Sequence, residues 1–196
     1  MADLFDVSGK TVCVTGASSG LGRAAATLLA ARGANVVGIA RRADALQAWQ
    51  DDTKGKTAAV VADLSDRAAL SGIAEQAAQP FGAPDILINA AGLNNREPAE
   101  DVSAAGWDDT INLNLATPFF LAQAMVPAMK ARGWGRIINF ASLQSRRAFA
   151  NSISYGASKG GVEQLTRAMA QAWSPHGITA NALAPGFFRT ELTGPV

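Results

Sequence analysis

With 196 residues, 48% of them hydrophobic, the chain is long enough to bury one substantial core and short for two. A formal net charge of +1 leaves no electrostatic footprint for nucleic acid or an anionic membrane surface. One cysteine (Cys13) and one histidine (His176) exclude an internal disulfide, argue against a metal-ligand cluster and suit a reducing cytoplasm. The start, Met1 to Asp6, has neither the basic residues nor the apolar run of a signal peptide. No apolar stretch approaches the roughly 18 to 20 residues of a membrane span.

Short β-branched runs alternate with longer Ala/Leu-rich patterns. Residues 11–15 read as a buried strand, followed by a helix over 21–32. A strand over 35–40, a helix over 43–50, a strand over 57–62 and a helix over 66–78 come next. Strands at 85–89, 136–141 and 178–183 are separated by long helices over 105–131 and 155–173. Strands that are apolar throughout are buried on both faces, as in a parallel sheet. The alternation therefore predicts a doubly wound α/β fold, with residues 1–196 as one domain. Gly33 ends the first helix, Gly133 and Gly135 close the long one, and Pro118 and Pro127 predict a kink within it.

Between the first strand and helix lies Thr15-Gly16-Ala17-Ser18-Ser19-Gly20-Leu21-Gly22. Glycines let main chain turn sharply and approach a pyrophosphate, while a helix N-terminus supplies N–H groups and partial positive charge. The position after the first strand points to dinucleotide binding. The same residues satisfy G-x-S-x-G, which would make Ser18 a hydrolase nucleophile with His176 as a distant base. Such an elbow normally follows several earlier strands, and this one follows the first. Cofactor choice is set where the second strand ends. An acidic residue there would hydrogen-bond ribose hydroxyls and repel a 2′-phosphate; here Ala40 is followed by Arg41 and Arg42, whose guanidiniums match phosphate. NADP is thereby favoured over NAD, against the alternative of a solvated basic pair.

Ser142 closes the fifth strand, and Tyr155-Gly156-Ala157-Ser158-Lys159 opens the next helix. One turn apart, Tyr155 and Lys159 share a helix face. A phenol with a pKa near 10 is a poor base at neutral pH, and a nearby ammonium favours its ionised form. Lowering that pKa by about three units requires roughly 4 kcal/mol, which a desolvated cleft can supply. Pro118 has no N–H to offer the carbonyl of Asn114 four residues before it, so that oxygen is free to hold a water.

Together these motifs resemble the short-chain dehydrogenase/reductase family. The resemblance runs from about Ser8 to the last residues and includes the T-G-x-x-x-G-x-G loop, Asp63, Asn89-Ala90-Ala91-Gly92, Asn114, Ser142, Tyr155, Lys159 and Pro185-Gly186. It implies a Rossmann-type sheet and hydride transfer between NADP(H) and a carbonyl or alcohol. Tyr155 would be the proton donor in reduction, and Ser142 would bond the substrate oxygen. Lys159 would bind the nicotinamide ribose and lower the tyrosine pKa, and Asn114 would hold a relay water. Gly16, Ser18, Ser19, Gly20, Leu21 and Gly22 would cradle the cofactor. Asp63 would meet the adenine, Asn89 and Gly92 the adenosine side and Thr190 the nicotinamide end, with Leu64, Tyr155, Pro185, Gly186 and Phe188 also binding the cofactor. The stretches around Ser142 and residues 166–192 are similar to gluconate 5-dehydrogenases and related sugar-acid or polyol dehydrogenases. Gln144, Arg96, Arg146 and Arg147 would suit a hydroxylated, carboxylated substrate, and a small-ketone or 3-oxoacyl reductase is the alternative. A noncatalytic dinucleotide-binding protein is the alternative of another class. Homodimers or homotetramers through the two long helices are implied.

Two departures from the family pattern stand out. Ala90 replaces a usual second asparagine, removing a polar contact that supports the central strand. The sequence ends at Val196, where family members continue through a substrate-covering loop, a helix and a last strand. Either it is a truncated product or a remainder follows, and only in the first case would the sixth strand be an exposed edge. Asp63 could be only a turn residue, and Arg146 and Arg147 could equally be an exposed loop pair; Cys13 reads as a small core residue and His176 as a solvated loop residue.

Overall fold

A computed structural model describes residues 5–191, 193 and 194. The first four residues, used above against a signal peptide, and Leu192, Pro195 and Val196 lie outside the described residues.

Strands β1 (Thr11–Thr15), β2 (Asn35–Ala40), β3 (Lys56–Val61), β4 (Ile86–Asn89), β5 (Gly135–Phe140) and β6 (Ile178–Leu183) form one parallel sheet of order β3-β2-β1-β4-β5-β6. The order reverses between β1 and β4, where connections leave to opposite sides and a crevice opens at the C-terminal strand ends. Among the described residues β6 stands at the sheet edge.

Alternation along the strands feeds two cores. Val12, Val14, Ile86 and Ile88 face α1 (Gly20–Ala31) and α2 (Ala43–Asp52). Cys13, Leu87 and Ile137 face the opposite layer, built from α3 (Leu70–Ala78), α5 (Thr117–Arg132) and α6 (Ile153–Trp173). Gly22, Ala26 and Ala30 line one stripe of α1, and such small residues let the helix lie close to the strands. Gly38 makes the same allowance for α2: a Cβ there would come within 2.6 Å of Trp49, whose fully buried indole donates to Thr27. Cys13 is buried, and burial pushes its thiol up to about 12, which fits a core residue.

The single helix expected over 105–131 is instead α4 (Ala104–Ile111), one π-turn at Asn112–Ala116, and α5. In that turn the N–H of Thr117 reaches back five residues to the carbonyl of Asn112. Pro118 thus sits in the first turn of α5, where its missing N–H does little harm, and the irregularity falls upstream of it. Pro127 lies inside α5. The helix expected over 66–78 opens with a 3-10 turn, Arg67–Ala69, capped by Asp66. Helix α6 begins two residues before Tyr155, at Ile153.

Candidate active site

Loops at the C-terminal ends of all six strands enclose a cleft of about 570 Å³. Its cofactor-side wall is largely main chain. Gly16 and Gly20 adopt φ of +71° and +55°, a region that favours glycine. A Cβ on Gly22 would lie 2.4 Å from the carbonyl oxygen of Gly16, so only glycine lets α1 start this close to the loop. Ser19, the N-cap of α1, makes no capping bond through its side chain, and the first turn carries no acidic residue. Main-chain donors at this helix start are therefore not spent on a side-chain cap, and the wall fits a pyrophosphate. Thr15 supports the adjoining wall: its hydroxyl accepts the N–H groups of Ala90 and Ala91, both at 3.0 Å. That support comes from β1, so the strand end at Ala90 is held despite the missing asparagine.

Arg41, Arg42, Asp63 and Leu64 line the far end of the cleft. Arg42 donates to Ser18 Oγ at 3.3 Å and pairs with Glu191 at 2.9 Å. Asp63 acts as a turn residue here, accepting from the N–H and hydroxyl of Ser65. Those two bonds, with Arg41 at 4.0 Å adding a smaller effect, hold its carboxyl below the usual range.

Opposite this wall the cleft is made of side chains. Ser142 follows β5 and caps a 3-10 turn, Leu143–Ser145; its Oγ accepts from Gln144 N–H at 3.1 Å. Tyr155 and Lys159 are buried on one face of α6. Burial raises the pKa of Tyr155, and a hydrogen bond with Ser142 acts the other way. Burial brings Lys159 down to about 8; its Nζ donates to the Phe140 carbonyl at 2.7 Å and lies 5.6 Å from the centre of the Tyr155 ring. The expected depression of the tyrosine pKa is thus not a property of these side chains alone, because desolvation of the phenol outweighs its one stabilising bond.

Asn114 lies in the π-turn behind the cleft, not on its wall. Its amide nitrogen donates to Leu93 O (2.8 Å) and Ser158 Oγ (3.1 Å), and its Oδ1 accepts from Leu93 N–H (2.9 Å). This clamp seats Gly92 beside Lys159: a Cβ there would be 3.6 Å from Nζ. The neighbouring Leu115 packs on α6 where Gly161 leaves room.

Gly16, Ser18, Ser19, Gly20, Leu21, Gly22, Gly92, Arg96, Gln144, Pro185, Gly186, Phe188 and Thr190 also border the cleft. Besides Asn114, three expected residues do not. Asn89 points into the core, where its amide nitrogen reaches the Pro118 carbonyl and Asn139 Oδ1. Arg146 turns outward to Glu163, and Arg147 is exposed away from the cleft, as the exposed loop pair would be. Sequence reasoning missed Asn94, Phe149 and Phe187 on the wall. Their signal is weak, because loop residues reach a cleft only through tertiary placement. The hydrolase alternative fails on topology. His176 precedes β6 at the N-terminal side of the sheet, whereas Ser18 follows the C-terminal end of β1. Among the described residues no group of three or more His, Cys, Asp or Glu could hold a metal. No described helix is long and apolar enough to cross a membrane.

The family model for short chain dehydrogenase matches residues 10–196. The chain belongs to that family. It is 42% identical over 195 residues to gluconate 5-dehydrogenase of Gluconobacter oxydans, covering 97% of this chain and 76% of that protein. It is 35% identical to 3-oxoacyl-(acyl-carrier-protein) reductase of Escherichia coli, covering 96% of this chain and 78% of that one. Among solved structures, a putative NAD(P)-dependent gluconate 5-dehydrogenase from Beutenbergia cavernae with bound NADP superposes with a TM-score of 0.91. That protein is 39% identical, with 98% of this chain and 78% of the other covered. The chain is accordingly an oxidoreductase that transfers a hydride between NAD(P)(H) and the carbonyl or secondary alcohol of a small molecule.

Proposed function

We propose that this enzyme uses NADP(H) in preference to NAD(H) and interconverts a secondary hydroxyl and a ketone on a sugar acid. The observation that carries the reading is the convergence of Ser142, Tyr155 and Lys159 on one cleft whose other wall is glycine-bordered main chain. The nicotinamide cofactor supplies or accepts the hydride when bound; every proton movement falls to the chain. Ser142 and Tyr155 hold the substrate oxygen, and Tyr155 gives it a proton in reduction. Burial keeps the phenol protonated at neutral pH, the state that this direction needs. Lys159 and a water on the main-chain oxygen of Asn114 return the proton to Tyr155. The π-turn at 112–116 and the missing N–H of Pro118 support this role for Asn114.

For the cofactor, Arg42 beside Ser18 and Ala40 in the usual acid position support a 2′-phosphate. For the substrate, the guanidinium of Arg96 forms no ion pair among the described residues and suits a carboxylate. The Oδ1 of Asn94 and Oε1 of Gln144 are buried on the same wall without partners, and suit substrate hydroxyls. Gluconate is the acid to try first, given the relatives' names. We place the enzyme in the cytoplasm, as one NADP-binding unit over residues 1–196. It would assemble as a homodimer or homotetramer through α5 and α6, since Phe119, Phe120 and Ala124 leave α5 partly exposed.

The test is NADPH formation from D-gluconate, with simple ketones and a 3-oxoacyl thioester run in the reducing direction. Arg42→Ala should cut the preference for NADP+ over NAD+ by about 10- to 100-fold, the scale of a lost bond to a charged group. Cofactor binding without turnover of any of these compounds would sink the catalytic reading. Turnover of the thioester alone would replace the substrate.

A further inference from the structure

One side chain ties the loop carrying Ser142 to the helix carrying Tyr155 and Lys159, and the chemistry does not use it. Ser145 Oγ accepts the N–H of Ser142 at 3.3 Å and donates to the main-chain carbonyl of Lys159 at 2.7 Å. Ser142 Oγ is itself engaged as an acceptor by Gln144 N–H. With its N–H and one lone pair held, the hydroxyl is fixed in place and its proton is left for the cleft. The loop lies directly on the helix main chain: a Cβ on Gly156 or Gly160 would sit 3.8 Å from the carbonyls of Gln144 and Ser145. A second tie runs outside the first, where Arg146 and Arg167 share the carboxylate of Glu163, one turn beyond Lys159. Both arginines are largely exposed, so that network contributes little by itself.

We propose that Ser145 is a positioning residue for the reaction, holding the Ser142 hydroxyl against Tyr155 by bridging the main chains of Ser142 and Lys159. This rests on Ser142, Tyr155 and Lys159 being the catalytic group. Ser145 does not line the cleft, so it acts only through the residues it joins. What it secures is the approach of the Ser142 hydroxyl to Tyr155, an interaction that opposes the rise that burial imposes on the phenol. Of the charged groups that border the cleft with Tyr155, Lys159 lies 5.6 Å from its ring centre on the same helix, and Arg41, Arg42, Asp63, Arg96 and Glu191 line the rest of the wall. The segment from β5 to Ser145 brings none, and Arg146 points outward.

Tyr155 is the only tyrosine, so the ring-carbon resonance of ¹³C-labelled tyrosine reports its titration without a substrate. Ser142→Ala should raise the midpoint by about half a unit or more, through loss of a bond that favours the phenolate. Ser145→Ala should raise it at least half as far, and Ser145→Thr should restore it. In gluconate oxidation Ser145→Ala should lower kcat about tenfold with KM for NADP+ unchanged. NADPH binding by every variant checks that each is folded. A wild-type midpoint in Ser145→Ala beside a shifted Ser142→Ala, or no restoration by threonine, would overturn the proposal. An unmoved midpoint in Ser142→Ala would overturn the contact on which it rests. The expected order of midpoints with no gluconate turnover would support the positioning role and strike only the substrate reading.

Discussion

At the loop after β1 the cleft is walled by main chain, shaped by what Gly16, Gly20 and Gly22 lack. Across the cleft, at Tyr155 and Lys159, it is walled by side chains whose ionisation burial has altered. The first wall offers fixed dipoles that do not titrate, and its quality depends on close approach alone. The second must hold a proton and release it, so it needs groups kept in an environment that opposes their charge. A cofactor wall of this kind is damaged by added volume; a catalytic wall is damaged by lost atoms.

The largest break comes from Tyr155→Phe, which removes the proposed proton donor and leaves the glycine wall intact. Turnover should fall by about 10³-fold, within the range for lost acid–base catalysis, with NADPH affinity unchanged in a fluorescence titration. A comparable loss of binding would mean that the two walls are not separable.

Lys159→Met should lower turnover by about 10²-fold and, unlike the first change, make the protein more stable at neutral pH. The sign follows from the folded pKa of about 8 lying below the ordinary 10.5. Between those values the unfolded chain holds the proton and the folded chain does not. The stability that comes with a neutral Lys159 is therefore present above 10.5 and lost as pH falls through 8. Removing the amine should add about 1–3 kcal/mol at pH 7, an advantage that shrinks towards pH 10.5. Urea unfolding of both proteins across that range measures it. Equal stability at pH 7 would show that the bond to the Phe140 carbonyl already offsets the burial.

Gly22→Ala is the smallest change and tests the other wall. The added methyl meets the Gly16 carbonyl and must displace the loop. We expect a stability cost of roughly 1–3 kcal/mol and about tenfold weaker NADPH binding, with the Tyr155 titration left where it was. A shifted titration would show that the loop also shapes the catalytic wall.

Much of this was legible in the residues. Strand runs, the glycine loop, the spacing of Tyr155 and Lys159 and the Arg41-Arg42 pair all lie within short windows where local periodicity and helix geometry govern. The failures have a common cause. Asn89 and Arg146 carry suitable polar groups, but Asn139 and Glu163, distant in sequence, capture them. The break near Pro118 was anticipated, but its form was not. Where a proline-induced defect settles depends on what the turn packs against, here Gly161 and Ser158 of α6.

By itself the sequence determined the order of elements, the glycine loop and the pairing of Tyr155 with Lys159 on one helix face, because each depends on neighbours within one or two helical turns. Only the tertiary structure decided the protonation tendencies of Tyr155 and Lys159, the clamp of Asn114 on Leu93, and the bridge that Ser145 makes to Lys159. Those depend on desolvation and on hydrogen bonds between segments far apart in the chain, and neither exists until the sheet has brought the segments together.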